Sequence, residues 1–305
     1  MGRGRRARGR DVTGILLLDK PMGRSSNAAL QEVKRLFNAR KAGHTGSLDP
    51  LATGLLPICF GHATKLSGYL LDADKAYQVR ARLGERTDTA DAEGAVIETA
   101  AVPSLNKQDI HTVLSGFMGE QEQLPPMYSA LKHQGKRLYE IARAGEEVER
   151  KPRRIQIYDL QLVSHSNDEL EMTVRCSKGT YIRTLVEDVA QALGTVAHVA
   201  ELRRTQVGGF HAEHMLDLPS LEQLAEHGET ALDAKLLPMS EALSHWPAVE
   251  LDADSSFYFQ RGQAVQVANT PSTGLLRAHG QGGELLGIAE IDTHGRVAPK
   301  RLLKT

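Results

Sequence analysis

The most informative stretch of this chain reads Gly43-His44-Thr45-Gly46-Ser47-Leu48-Asp49-Pro50-Leu51-Ala52-Thr53-Gly54. Its three glycines lack a Cβ atom, so the backbone can turn sharply there or lie close to a ligand. Pro50 biases the residue before it away from the helical region and towards an extended conformation. The stretch therefore predicts a rigid loop that presents the carboxylate of Asp49.

A carboxylate held in this way has more than one chemical use. It can serve as a nucleophile, as a general base or as a metal ligand. An Asp-Pro pair in a glycine-rich loop can also form an Asx turn, in which the carboxylate bonds only to its own backbone. The loop by itself leaves all of these roles open for Asp49.

The composition is that of a soluble globular protein. The chain has 305 residues, of which 41% are hydrophobic and 25% are charged, enough for one large and one small domain. Its two cysteines, Cys59 and Cys176, are far apart and have apolar neighbours, which predicts reduced core residues. No apolar run approaches the length of a membrane helix and no signal peptide follows Met1, so we expect a cytoplasmic protein.

Positive charge is concentrated in two segments, although the net charge is −1. Residues 1–10 hold five arginines and no acid, and residues 132–154 hold eight basic residues against four acidic ones. Local positive surface attracts phosphate groups over a Debye length of about 8 Å, whatever the net charge. Both segments are therefore candidate nucleic-acid contacts, although the first is equally typical of a solubilising tail.

Hydrophobic patterns predict an α+β fold rather than a doubly wound parallel sheet. Alternation from residue 77 to 83 places Tyr77 on the buried face of a strand, and helical spacing after Thr180 places Arg183 in the first turn of a helix. Beyond Trp246, short apolar runs separated by glycines indicate a small all-β module. The other predicted elements are strands at 14–20, 155–164, 170–176 and 198–207 and helices at 26–37, 62–71, 106–117 and 138–144.

Several separated motifs resemble those of the bacterial tRNA pseudouridine-55 synthases, the TruB family. The glycine-rich stretch and its continuation to Lys65 resemble the catalytic motif of that family. The opening strand and turn, the tyrosine motif and two later pocket motifs follow in the family's order, at 17–23, 75–77, 177–183 and 202–205. The resemblance extends from Gly14 to the C-terminus, where residues 287–290 and 297–301 resemble the family's PUA domain, an RNA-binding module.

Composition and resemblance together divide the chain into three parts. We expect residues 1–12 to form a basic, disordered tail and residues 246–305 to form a small all-β PUA-like RNA-binding domain. Between them, residues 13–245 form a pseudouridine synthase catalytic domain, with a mixed, largely antiparallel sheet, flanking helices and a basic RNA-binding insertion at 124–154. The implied reaction isomerises uridine to pseudouridine at position 55 in the T loop of tRNA, by base flipping and an aspartate nucleophile.

The family motifs imply roles for particular residues. Asp49 is the nucleophile, Arg183 its partner in a bidentate ion pair, and Tyr77 the residue that stacks on the flipped uracil and is a candidate for proton transfer. The implied substrate-binding residues are His44, Tyr77, Tyr181, Leu202 and Lys20. The residues alone also allow plainer roles, because Arg183 could reach phosphate from the surface and Tyr77 could simply pack in the core.

No motif for metal or nucleotide chemistry is present. His211-Ala212-Glu213-His214 lacks the spacing of a metal site, and the chain has no phosphate-binding loop, so we expect neither metal nor cofactor. We expect a monomer whose partner is the T arm of tRNA, with no membrane and no protein partner. A second hypothesis is an RNA-binding or tRNA-folding protein in which catalysis is secondary.

Overall fold

Two sheets dominate the computed structural model, which describes residues 9–303. The strands of the described residues are β1 (Gly14–Lys20), β2 (Ala42–His44), β3 (Thr53–Phe60), β4 (Lys75–Leu83), β5 (Glu85–Thr87), β6 (Val96–Thr99), β7 (Gly119–Gln123), β8 (Lys132–His133), β9 (Lys136–Arg137), β10 (Arg153–His165), β11 (Glu169–Cys176), β12 (Ala197–Val207), β13 (Phe210–His211), β14 (Ala248–Glu250), β15 (Leu275–His279), β16 (Leu285–Ile291) and β17 (Val297–Leu302). The α-helices are α1 (Ser26–Leu36), α2 (Ser67–Leu71), α3 (Lys107–Gly116), α4 (Leu138–Arg143), α5 (Ile182–Ala192), α6 (Leu218–Glu226), α7 (Glu229–Asp233) and α8 (Ala253–Phe259). Short 3-10 helices span Gly61–Leu66, Ala212–His214 and Met239–Leu243.

The larger sheet has the strand order β1-β3-β12-β4-β11-β10-β7, with β2 beside β3 and β13 beside β12. Its pairings are antiparallel except that of β3 with β12, where Thr53 lies opposite Arg203 and Gly54 opposite Arg204. The predicted α+β fold on a mixed, largely antiparallel sheet is therefore confirmed. The parallel contact places the start of β3, directly after the Asp49 loop, beside the last third of β12.

The core of the large domain lies where α5 packs on the central strands. Alternate residues of β4 and β11 point into it, as the sequence predicts, and Val79 and Met172 are 1% and 0% exposed. Leu185 and Val189 of α5 belong to the same buried cluster, and Tyr77 packs at its margin. This burial of alternate residues fixes which side chains of β4 face the candidate site.

Most predicted helices form, with shifted ends. Ser25 caps α1 by accepting a hydrogen bond from the amide of Ala28 at 3.1 Å, and the predicted helix at 62–71 is a 3-10 helix followed by α2. The polar segment at 217–244, for which the sequence predicts only a connection, instead forms α6 and α7. Leu221 and Leu232 of these helices are buried against the core beside α1, because their apolar residues recur at helical spacing.

The C-terminal region forms a sheet of β14 to β17, so the predicted all-β region is confirmed, with the short helix α8 in addition. It does not stand apart from the large domain. Leu285 and Ile288 belong to the same buried cluster as Ile15, and the Trp246 ring meets the edge of Tyr69 at 5.4 Å between centroids. The two predicted domains therefore share apolar core.

The N-terminal boundary differs from the prediction of a tail at 1–12. Arg10 forms a two-bond ion pair with Asp233 at 2.6 and 2.7 Å and donates to the carbonyl of Phe37 at 2.9 Å, so this part of the chain belongs to the fold. Residues 1–8, which hold the other arginines of that segment, lie outside the described residues. Among residues 9–303, no helix has the length and hydropathy that crossing a membrane would require.

Candidate active site

The loop of residues 43–54 runs from β2 into β3 through glycines in left-handed conformations. Gly46 has φ = +101° and Gly54 has φ = +97°, angles that other residues adopt at a cost. A Cβ atom on Gly54 would lie 2.3 Å from the carbonyl oxygen of Arg204. Glycine is therefore required for β3 to begin in contact with β12.

The backbone is anchored on both sides of Asp49. Ser26 Oγ accepts a hydrogen bond from the amide of Leu48 at 2.7 Å and donates to the carbonyl of the same residue at 3.0 Å. On the other side, Lys20 Nζ donates to the carbonyl of Pro50 at 3.3 Å. These buried bonds fix the position from which the Asp49 side chain projects.

Arg183 lies beside Asp49. Its Nε is 3.0 Å from Oδ2 of Asp49, and its side chain is 6% exposed while that of Asp49 is 42% exposed. The implied bidentate fork is not formed, because Nη1 donates to the carbonyl of Thr89 at 2.7 Å and Nη2 to that of Tyr128 at 2.6 Å. Two backbone carbonyls thus orient the guanidinium and leave its Nε edge for the carboxylate.

The start of α5 places Arg183 in the first helical turn, as predicted, but by a different cap. The N-cap is Tyr181, whose amide donates to Oε1 of Gln123 at 2.8 Å and whose carbonyl accepts from Nε2 of Gln123 at 3.1 Å. Thr180, the predicted cap, instead donates to the carbonyl of Ser177 at 3.0 Å. Gln123 is remote in sequence, so local pattern could not reveal it.

A second carboxylate, Asp91, shares the arginine. Asp91 is 4% exposed, and its Oδ2 lies 3.8 Å from Nη1 of Arg183. Burial raises the pKa of the Asp49 carboxyl, an effect that the positive charges of Arg183 and Lys20 oppose and the negative charge of Asp91 reinforces. Asp91 was not among the predicted site residues, although the three acids at 88–93 were a visible signal.

Tyr77 lies on β4 opposite Arg204 of β12. The tyrosine is partly buried at the edge of the core. Burial raises the pKa of its hydroxyl to about 12, so Tyr77 keeps its proton at neutral pH. It therefore offers an aromatic surface and a hydrogen-bonding hydroxyl rather than a ready base.

Tyr181 and Leu202 belong to the same neighbourhood. Leu202 is 8% exposed in the cluster that also contains Leu48 of the loop. Tyr181 is the N-cap of α5, two residues before Arg183, and Tyr77 packs against the same buried cluster as Leu48 and Leu202. The structure thus brings these predicted residues together.

His44 and Lys20 contribute differently. Burial and the charge of Arg204 lower the pKa of His44, so its imidazole is neutral at pH 7. Lys20 is 0% exposed and donates to the carbonyls of Pro21 and Arg24 at 2.8 and 2.6 Å, and burial lowers its pKa to about 8. Lys20 therefore supports the loop, and its expected substrate-binding role stays a prediction.

The basic insertion at 124–154 adjoins this site. Tyr128, whose carbonyl binds Arg183, lies near its start, and α4 carries Tyr139 between Arg137 and Arg143 at 5.8 and 5.6 Å from the ring. Its side chains are largely open to solvent, and the exposed cations are Lys132, Lys136, Arg137, Arg143, Lys151, Arg153 and Arg154. This surface suits a polyanion.

Residues 9–303 contain no group of three or more histidine, cysteine or acidic side chains arranged to hold a metal ion. His211 ends β13, Glu213 and His214 lie in the 3-10 helix that follows, and all three side chains are exposed.

Three family models together match most of the chain. "TruB family pseudouridylate synthase (N terminal domain)" matches residues 34–182, and "tRNA pseudouridylate synthase B C-terminal domain" matches residues 183–244. "Pseudouridine synthase II TruB, C-terminal" matches residues 247–303.

Curated relatives match over nearly their whole length. The chain is 56% identical to tRNA pseudouridine synthase B of Nitrosococcus oceani over 303 residues, covering 99% of this chain and 98% of that protein. It is 53% identical to tRNA pseudouridine synthase B of Stutzerimonas stutzeri, covering 97% of each.

Among solved structures, a Cbf5-Nop10-Gar1 complex matches with a TM-score of 0.74 and 25% identity, covering 96% of this chain and 84% of the other. An H/ACA RNP bound to a substrate RNA containing 2′-deoxyuridine matches with a TM-score of 0.75 and 22% identity, covering 96% and 86%, which shows the shared fold. The chain belongs to the TruB family of pseudouridine synthases.

Proposed function

We propose that this member of the TruB family isomerises uridine to pseudouridine in tRNA, at position 55 of the T loop. One observation carries the proposal: a single partly exposed carboxylate, Asp49, paired with the buried Arg183 beside two tyrosines. The family supplies the reaction, and this cluster supplies a nucleophile, its ionising partner and an aromatic surface for the base.

The reaction rearranges atoms within one nucleotide. The bond from ribose C1′ to N1 of uracil breaks, the base rotates and C1′ bonds to C5, while C5 loses a hydrogen and N1 gains one. Asp49 acts as the nucleophile in its ionised form. Arg183 favours that form against the burial that raises the carboxyl pKa, so the pair retains a carboxylate when RNA closes the cleft.

The target base leaves the RNA stack to reach Asp49. Unstacking costs a few kcal/mol, and stacking on an aromatic ring returns about 1–3 kcal/mol per base. Tyr77 provides that ring, and Tyr181 and Leu202, which lie in the same neighbourhood, complete the proposed uracil pocket. His44, neutral at pH 7, assists opening of the RNA loop without adding charge to the pocket.

Surfaces outside the pocket make most of the contacts that bind the tRNA. The exposed cations of residues 124–154 contact phosphates beside the site, and the C-terminal domain, with exposed Arg261 and Arg301, adds a further RNA contact. Because that domain shares buried core with the large domain, its role is tested by Arg261→Gln with Arg301→Gln rather than by deletion. If the protein with both substitutions bound tRNA with the wild-type dissociation constant, Arg261 and Arg301 would be excluded as RNA contacts.

A second function, folding of tRNA with catalysis secondary, is favoured by the same exposed basic insertion. It differs from the first in not requiring the carboxylate of Asp49. Refolding of a misfolded tRNA transcript by Asp49→Asn at the wild-type rate would support this activity beside the enzymatic one.

The decisive test incubates the purified full-length protein with an unmodified tRNA transcript and maps pseudouridine nucleotide by nucleotide. We expect modification at position 55, and none in a transcript with cytidine there. Modification only at other uridines would contradict the positional proposal while leaving pseudouridine formation intact. No pseudouridine at any position would contradict the proposed function altogether.

A further inference from the structure

Arg204 on β12 is the largest fully buried side chain of the described residues, and the chemistry proposed above assigns it no task. It is 1% exposed. Within residues 9–303 its guanidinium forms no ion pair with a carboxylate. Nε donates instead to the carbonyl of Leu55 at 2.7 Å and Nη2 to that of Gly46 at 3.2 Å. A buried cation without an acidic partner destabilises the fold, which makes Arg204 a candidate functional residue.

The two carbonyls bound by Arg204 lie on either side of Asp49 along the chain. Gly46 precedes Asp49 by three residues and Leu55 follows it by six. A Cβ on Gly46 would lie 3.6 Å from Nη1, so the guanidinium lies directly against the loop backbone. One planar group thus joins both ends of the loop of residues 43–54 and defines the distance between them.

The same guanidinium adjoins other residues of the site. Arg204 of β12 lies opposite Tyr77 of β4 in the sheet. Burial raises the pKa of Tyr77, and the positive charge of Arg204 opposes that rise. The charge also contributes to the lowered pKa of His44. Arg204 therefore lies at the point where the loop, β4 and the histidine meet.

We propose that Arg204 is a positioning residue for pseudouridine formation, which sets the place of Asp49 relative to Tyr77 by holding the loop of residues 43–54 against β12. The inference rests on the proposed function of this site. The planar guanidinium donates in two fixed directions at once, towards Leu55 and Gly46, and a lysine ammonium cannot reproduce that geometry. Lysine at position 204 would therefore keep the charge and lose the alignment.

The test compares Arg204→Lys with Arg203→Lys in the full-length protein. Arg203 is the adjacent residue of β12, but its side chain is 39% exposed and pairs with Asp19 at 2.6 Å. We expect Arg204→Lys to slow single-turnover pseudouridine formation at saturating enzyme by about 100-fold, because small misplacements of a catalytic group are costly. Arg203→Lys should change that rate within about threefold, and tRNA affinity should be retained in both variants.

A spectroscopic readout separates positioning from general loss of stability. In protein labelled with 3-fluorotyrosine, the ¹⁹F resonance of Tyr77 is assigned from its absence in Tyr77→Phe. Arg204→Lys should move this resonance and leave those of tyrosines outside the site in place. If Arg204→Lys does not fold, Arg204→Gln carries the same comparison, since it removes the buried charge and keeps an amide donor.

Each outcome decides the matter. A rate of Arg204→Lys close to wild type, a slow rate with an unmoved Tyr77 resonance, or failure of both variants to fold would overturn the proposal. These results are distinct from failure of the proposed function, which would appear as a wild-type protein that makes no pseudouridine at position 55.

Discussion

Residues 43–54 and residues 124–154 both reach the candidate active site, but they are held in opposite ways. In the first segment, buried donors and acceptors from three other parts of the chain bind the backbone around Asp49: Ser26 of α1, Lys20 of β1 and Arg204 of β12. Its glycines let strands approach within contact distance. The carboxylate is therefore preorganised before any RNA arrives.

The basic insertion has few such constraints. Its regular structure consists of the two-residue strands β8 and β9, the six-residue helix α4 and the first two residues of β10, and its cations are largely exposed. Arg183 is a buried link between the two segments, since it pairs with Asp49 and binds the carbonyl of Tyr128. In the proposed function the anchored loop sets the reaction rate and the exposed cations set the affinity for tRNA. Substitutions in the two segments should therefore change these two quantities separately.

The largest effect is expected at the proposed nucleophile. Asp49→Asn should reduce single-turnover pseudouridine formation by roughly 10⁴-fold or more, because the amide is not nucleophilic. Its tRNA affinity should stay within about threefold, since phosphate contacts dominate binding. Rates come from quenched single turnovers and affinities from filter binding. Substantial turnover by this variant would remove Asp49 from the nucleophile role.

Arg183→Lys should slow the reaction by about 10²–10³-fold despite the retained charge, because lysine cannot hold Asp49 and two backbone carbonyls together. Its pH profile sharpens the test. The proposed nucleophile is ionised above the Asp49 pKa, so the rate should fall as pH falls through that value. Weaker pairing of Asp49 with the lysine raises the Asp49 pKa. The acidic limb of the pH–rate profile should therefore move to higher pH. A normal rate and an unmoved limb would show that Arg183 is not the ionising partner of Asp49.

Adjacent serines offer a matched comparison for the anchored loop. Ser26→Ala leaves the buried amide and carbonyl of Leu48 without their partner, so the free energy of unfolding should fall by about 1–3 kcal/mol and the rate by about tenfold. Ser25→Ala removes the exposed cap of α1, which costs about 1 kcal/mol and should leave the rate unchanged. Equal rates in the two variants would show that the loop does not need this anchor.

Substitutions in the insertion should act on affinity alone. Lys136→Gln with Arg137→Gln should weaken tRNA binding by about tenfold at low salt. The slope of log K against log salt should fall by about one for each phosphate that the variant no longer neutralises. Arg80→Gln, which removes an exposed cation already paired with Glu201, is the control. A slower reaction at saturating enzyme would mean that the insertion also shapes the pocket.

The smallest effect is expected from the N-terminal arginines. Removal of residues 2–8 preserves the ion pair of Arg10 with Asp233, so the fold should be unaffected. Binding should weaken by only about two- to threefold, and only at low salt, because fewer counterions are released. An identical salt slope with and without these residues would show that they contact no phosphate.

Much of the fold was predictable because its strands and helices follow from local sequence patterns. Alternation predicted β4 and β11, and a capping serine predicted the start of α1. The prediction of a simple connection at 217–244 was wrong. Polar residues there outnumber the few leucines through which α6 and α7 pack against the core. The prediction of Thr180 as the cap of α5 was wrong because Gln123 of β7 bonds to the backbone of Tyr181. No local motif contains that contact.

The sequence by itself determined the candidate nucleophile and its setting: a glycine-rich loop, Asp49 before a proline, and an arginine in the first turn of a helix. Those features depend on backbone preferences and on neighbours in the chain, which a linear pattern records. Only the tertiary structure decided that Arg183 binds two carbonyls instead of making a fork, that Asp91 shares it, and that Arg204 lies buried beneath the loop. These contacts join residues far apart in sequence, and their geometry depends on how β3, β12 and α5 pack.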